Sequence, residues 1–265
     1  MPYINPIPSI GKQTKNTLFE EQQNYIRKEK VYFAFIDVLG FQKSYDDKKL
    51  TKNDTHIQKY QDVFNYYFEL MNSAKLMKSS DNNCYAGQTS DSLYFYTERL
   101  DFLVQFIHIF SHFTLYAMSK DVFFRGGISQ GELFKKENYQ FFGDCVIGAY
   151  LLENKISKFP IITIDEKTYA DLQTFTNVDD MICASNNHRY YIKPFYFLKE
   201  NIQLEMLHDF KLKNIENINI LENILKNKSI FEYNADNFAK YTFLEDEYNK
   251  CIKSQNTGIL GGENE

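Results

Sequence analysis

The chain has 265 residues, 43% of them hydrophobic and 17% aromatic, with 24 Phe, 20 Tyr and no Trp. That is apolar material for a sizeable core and excludes a globally disordered chain. A formal net charge of −5, with lysines scattered except at Lys48-Lys49 and Lys135-Lys136, argues against a generic binder of DNA or RNA, whose phosphate contacts need clustered Lys and Arg.

Residues 1–14 carry three prolines and a glycine and predict an extended arm, with a short helix over Thr17 to Arg27. The start MPYINPIPSIGK lacks the charged and apolar regions of a secretory signal. No apolar run reaches the ~18 residues that span a bilayer. Cys84, Cys145, Cys183 and Cys251 form no CxxC pair, so no zinc framework is visible. The expectation is a cytoplasmic protein with free thiols and no membrane partner.

Val31 to Val38 is an apolar, β-rich run stopped by Leu39-Gly40, which predicts a strand buried on both faces. Asp54 to Lys78 has helical spacing, with Ile57, Tyr60, Val63, Phe64, Tyr67, Phe68 and Met71 on one side. Asn83 to Gln88 and Leu93 to Tyr96 are strands of a hairpin, because Thr89-Ser-Asp-Ser92 consists of turn residues. Leu100 to Ser119 is an apolar helix. Val122 to Phe134 is a strand interrupted by Gly126-Gly127 and Gly131. A helix follows over Gly143 to Lys155, then a strand over Pro160 to Ile164 and a helix from Glu166 to Leu172. This order predicts a ferredoxin-like βαββαβ α/β (α+β) domain extended by one helix and one strand. Later the pattern weakens: a strand over Tyr190 to Leu198, helices over Ile218 to Leu225 and Asn237 to Cys251, and a disordered tail from Gly258. The expected organisation is an arm (1–28), the α/β domain (29–176) and a mainly helical C-terminal extension (177–265).

Two carboxylates stand out by their setting. Asp37 sits near the end of a buried strand, and Asp91 sits at a hairpin tip. In a βαββαβ sheet that strand and hairpin are neighbours, so the two acids converge. Such anions repel unless a cation lies between them, and hard oxygen ligands favour Mg²⁺ or Mn²⁺ that also bridges phosphates.

Phe35-Ile-Asp-Val-Leu-Gly-Phe41 resembles the FxDxxGF signature of class III adenylyl and guanylyl cyclases. Ser90-Asp91-Ser92 is similar to the family's hairpin Gly-Asp-Ser, with Ser90 replacing the Gly. Phe124 to Glu132 resembles the RxGIxxGE strand, Phe142 to Glu153 the FGDxVNxAxRxE helix start, and Ile161 to Tyr169 the last strand and its helix. Five pieces in family order, over roughly residues 31 to 175, form a fairly specific pattern. The resemblance implies a divergent bacterial nucleotidyl-cyclase domain that turns a nucleoside triphosphate into a cyclic nucleotide and pyrophosphate, as a homodimer. It implies metal on Asp37, the Val38 carbonyl and Asp91, with Arg125 on the triphosphate. It implies substrate contacts at Val38, Gly40, Phe41, Gly87, Ser90, Ser92 and Gln140.

The departures bear on chemistry. The family's ribose-orienting Asn and transition-state Arg fall on Ile147 and Leu151, and the base-reading positions fall on Gly87 and Gln140, which match neither purine pattern. A lean cyclase without a recognisable sensor is similar to the pyrimidine cyclases of bacterial anti-phage signalling. The alternative is a degenerate cyclase-fold protein that binds a nucleotide or a partner without turnover. His108 and His112, at i and i+4, have metal-ligand spacing but apolar neighbours, which favours a core helix. The glycines of residues 126–131 lack a following Gly-Lys-Ser/Thr and are not a Walker loop.

Overall fold

The structure is a computed structural model that describes residues 25–41, 55–77, 84–136, 140–175, 178–185, 189–198 and 217–259. Strand β1 (Ile26–Val38) pairs antiparallel with two neighbours. One is β3 (Ser92–Thr97), which forms a hairpin with β2 (Cys84–Thr89). The other is β4 (Phe124–Lys135). Helix α1 (Thr55–Ser73) links β1 to the hairpin, and α2 (Leu100–Ser119) links the hairpin to β4. The order β2-β3-β1-β4 with these two crossovers is the ferredoxin-like core that the sequence predicts. β4 then pairs parallel with β6 (Ile162–Ile164), and β8 (Arg189–Ile192) and β7 (Ile182–Ser185) extend that edge. A two-residue strand β5 (Phe141–Phe142) pairs with the far end of β4.

β1 starts earlier than its apolar run. Ile26 and Arg27 lie in the strand rather than in a helix, Tyr25 just before them is irregular, and residues 17–24 of the expected helix lie outside the described residues. Charged side chains hold this polar end: Lys28 pairs with Glu98 at 2.9 Å, Lys30 with Asp171 at 2.8 Å, and Arg27 with Glu132.

Alternation along β1 divides the core. Tyr32, Ala34, Ile36 and Val38 face the large cluster with α1 and α2, and Val31 and Phe33 face the opposite cluster. That second face is covered by α3 (Asp144–Leu151), which continues into one π-helical turn, Leu152–Ile156, in place of regular helix. Gly127 makes the covering possible. A Cβ there would stand 2.3 Å from the Ala149 carbonyl oxygen and 2.5 Å from Leu152 Cβ. Gly127→Ala is therefore expected to push α3 off the sheet and cost about 1–3 kcal/mol, measured as a lower denaturant midpoint.

α2 has the length and hydropathy of a membrane span, unlike the sequence expectation, but 72% of that window is buried inside the fold. His112 is buried and lies 2.9 Å from the Tyr66 hydroxyl; burial pulls it down to about 4. Helix α4 (Glu166–Leu172) is capped by Asp165, whose carboxylate accepts from the Thr168 amide at 2.7 Å and from the Ser129 hydroxyl at 2.7 Å. After it come a short α5 (Val178–Met181), the β7–β8 hairpin and a 3₁₀ turn, Tyr196–Leu198, where an extended strand end was expected.

Two further helices, α6 (Asn217–Ile230) and α7 (Ala235–Ile259), pack together. They build a third cluster, in which Ile220, Ile224, Tyr241 and Leu244 meet Leu115, Met118 and Phe123, with Leu39 alongside. α7 therefore runs across the sheet end where β1 finishes and β4 begins. Gly258 belongs to α7, and residues 260–265 lie outside the described residues.

Candidate active site

The end of β1 carries Asp37, whose Cα partners are Ser92 on β3 and Arg125 on β4. Asp37 continues the odd-numbered row of β1, so its side chain is on the α3 face of the sheet. The Ser92 hydroxyl donates to Asp37 Oδ1 at 3.0 Å, and Arg125 Nη2 stands 3.9 Å from Asp37 Oδ2. Asp91 directly precedes Ser92 in the two-residue turn between β2 and β3, where Ser90 takes a φ of 56°.

The electrostatics follow from this packing. Asp37 is held above the ordinary carboxylate range, first by burial and then by the neighbouring charge of Asp91. The Ser92 hydroxyl, Arg125 and the Val38 amide pull the other way. Glu153, on the π-helical turn, is 4% exposed. It too is held high, by burial foremost and by Asp37, against the pull of Arg125. Arg125 Nε lies 2.7 Å from Glu153 Oε1, a charge contact without hydrogen-bond alignment, so both atoms are buried and lack a hydrogen-bond partner. One guanidinium thus serves a buried carboxylate, Glu153, and a partly buried one, Asp37, with Asp91 adding a third negative charge nearby.

Glu153 was not singled out from the sequence as a site residue. A signal was present: Cys145, Ala149 and Glu153 repeat at i, i+4 and i+8, and the first two are fully buried, so an acid on that stripe points inward.

Among the described residues no group of three or more His, Cys, Asp or Glu could hold a metal. The donors at this end are the carboxylates of Asp37 and Asp91 and the backbone carbonyl of Val38. These are hard oxygens, and the charge of Asp91 raises the cost of ionising Asp37. That donor set fits Mg²⁺ or Mn²⁺ completed by phosphate oxygens, rather than an all-protein cage.

The other residues that the resemblance implied divide into two groups. Gly40 turns the chain just past Asp37 with a φ of 77°, and Phe41 packs edge-on against Tyr60, ring centroids 5.0 Å apart. Gly87 lies under the Tyr94 ring, where a Cβ would stand 2.4 Å from that ring. Gln140 is elsewhere. Its backbone oxygen accepts from the Lys136 amide at 2.8 Å, next to the Ile26–Lys135 pairing at the other end of β1 and β4. At ~3.3 Å per strand residue this is roughly 30 Å from Asp37. Ile147 and Leu151 are 59% and 38% exposed on the outer side of α3, with Tyr150 between them at 49%.

No protein-family model and no curated protein matches the chain. Solved structures that it is similar to include adenylyl and guanylyl cyclases. The monomeric guanylyl cyclase domain of the RhoGC fusion protein from the aquatic fungus Blastocladiella emersonii is 16% identical at a TM-score of 0.47, over 64% of this chain and 98% of that one. The adenylate/guanylate cyclase/hydrolase from Silicibacter pomeroyi is 14% identical at a TM-score of 0.43, over 63% of this chain and 95% of that one. A bacterial light-regulated adenylyl cyclase is 13% identical at a TM-score of 0.47, over 68% of this chain and 60% of that one.

Proposed function

We propose that this chain is a nucleotidyl cyclase that converts a nucleoside triphosphate into a cyclic nucleotide and pyrophosphate. The observation that carries the reading is the meeting of Asp37, Ser92 and Arg125 on three paired strands, with the charge of Asp91 felt at Asp37. Cyclisation needs the ribose 3′ oxygen to lose its proton and attack the α-phosphorus in line, while pyrophosphate leaves. Mg²⁺ or Mn²⁺ on Asp37, the Val38 carbonyl and Asp91 would lower the pKa of that hydroxyl and neutralise phosphate charge. Arg125 receives the growing charge on the leaving pyrophosphate. Ser92 holds one oxygen of Asp37 and so orients the other. Glu153 fixes the guanidinium, which makes it a positioning residue.

The working form in this reading is a homodimer. Gln140 is too far from Asp37 to meet the same nucleotide within one copy, so it reaches a base only across an interface. The exposed apolar run of Ile147, Tyr150 and Leu151 is suited to such an interface. The base is a pyrimidine in this proposal, because Gly87 and Gln140 carry no purine-reading pattern. A role in signalling, including anti-phage signalling, extends the same proposal.

A second reading, binding without turnover, is favoured by Ile147 and Leu151, which offer no amide or guanidinium to the sugar and the transition state. Incubation with each of the four ribonucleoside triphosphates and Mn²⁺ separates the two. The cyclase reading expects cyclic product and pyrophosphate from at least one of them, and none from the Asp91→Ala variant. Calorimetric binding of a triphosphate without any product leaves the second reading in place.

A further inference from the structure

Arg125 already answers to two carboxylates, so a triphosphate with about four negative charges calls for another cation in the protein. The end of the sheet that carries Asp37 is crossed by α7, and two aromatic contacts fix where along that helix. Tyr241 packs edge-on against Phe123, two residues before Arg125, with ring centroids 5.2 Å apart. Phe243 stacks on Phe159, beyond the π-helical turn that carries Glu153, at 4.7 Å. Lys240 adjoins Tyr241 and lies one turn before Phe243, so it lies on the stretch of α7 that these two contacts fix against the start of β4 and the segment after the π-helical turn.

The surroundings of Lys240 agree. It is partly buried, and the charge of Arg125 acts on it. Burial first, then Arg125, holds it below the ordinary lysine range, with Asp236 pulling the other way. Its ammonium donates to Asn237 Oδ1 at 2.9 Å. Lys228, also beside α7, is neutralised by Glu245 at 2.5 Å, whereas among the described residues no carboxylate stands at ion-pair distance from Lys240. Two cations held near each other, one with no carboxylate partner, form an arrangement that an oligophosphate stabilises.

We propose that Lys240 is the second cation of the site and binds terminal phosphate oxygens of the triphosphate whose charge Arg125 also receives. The inference rests on the nucleotide-binding reading of Asp37 and Asp91 and adds to it that the C-terminal extension is a working part of the site.

The probe is inorganic tripolyphosphate, titrated by calorimetry into the full chain with Mn²⁺ present and, separately, with a chelator. Losing one charge-assisted hydrogen bond weakens binding by about tenfold or more. Lys240→Gln is expected to show that loss in both conditions, and Lys240→Arg to stay within about threefold of the parent. Lys167→Gln, an exposed site on α4, is expected to bind like the parent. If turnover is found, Lys240→Gln raises KM for the triphosphate by the same factor and changes kcat little. Equal tripolyphosphate affinity in Lys240→Gln and the parent overturns the proposal even where cyclic product forms, and so does a parent that binds no tripolyphosphate. A parent that binds it through Lys240 yet makes no cyclic product from any triphosphate overturns the cyclase reading alone.

Discussion

Asp37→Asn is expected to abolish cyclic-nucleotide formation, by about 10³-fold or more, and also to make the metal-free protein more stable. Both results have one cause. Burial and the neighbouring Asp91 hold Asp37 above the range of an unfolded carboxylate, so its ionised form is disfavoured in the fold. Between the unfolded and folded pKa values the folded state binds more protons than the unfolded one, and stability falls as pH rises through that window. Glu153 contributes in the same direction. The metal-free protein should therefore gain stability as pH is lowered from neutral toward the ordinary carboxylate range. In Asp37→Asn part of that gain is already present at neutral pH and the slope is smaller. Mn²⁺ acts in the opposite sense, raising the Tm of the parent but not of the variant. Thermal melts across pH, with and without Mn²⁺, read all of this. Equal pH slopes in parent and variant would remove the claim that ionised Asp37 is strained.

Arg125→Ala is expected to cost about 3–5 kcal/mol of folding stability, an unusually large loss for a strand residue outside the apolar core. The Glu153 side chain is only 5% exposed, and Arg125 is the cation placed against it. Removing the guanidinium strands that carboxylate and releases Asp37 from its 3.9 Å contact. The test is a double-mutant cycle in denaturant. Glu153→Gln in the Arg125→Ala background should recover a large part of the loss, because a neutral amide is far cheaper to bury than an unpaired carboxylate. Additive effects would mean that Arg125 stabilises the fold by packing rather than by neutralising Glu153. Catalysis discriminates further: the double variant should regain stability but not pyrophosphate release.

The helices and strands that the sequence made legible have short-range causes. The continuous apolar run from Val31 to Val38 announced a strand buried on both faces, and Thr89-Ser-Asp-Ser92 announced a tight turn. The 20-residue apolar stretch that became α2 is unmistakable in period and length. Where local pattern and structure parted, long-range pairing decided. The polar start of β1 is a strand because Glu132, Glu98 and Asp171 wait beside it, which no window over Ile26 to Lys30 contains. The helix read through Lys155 changes to a π-helical turn at Leu152, where it passes close over Gly127.

From the sequence alone came the ingredients of the site: which acids end a buried strand and tip a hairpin, and that both lie in a βαββαβ order that makes them neighbours. A continuous apolar run and turn chemistry are local properties, so one chain suffices to read them. Only the tertiary structure decided what surrounds those acids. Glu153 reaches Arg125 because α3 rests on glycines, and Lys240 comes near them because α7 buries Tyr241 and Leu244 against Phe123. Desolvation and charge pairing depend on distances between elements far apart in the chain, and those are set by packing.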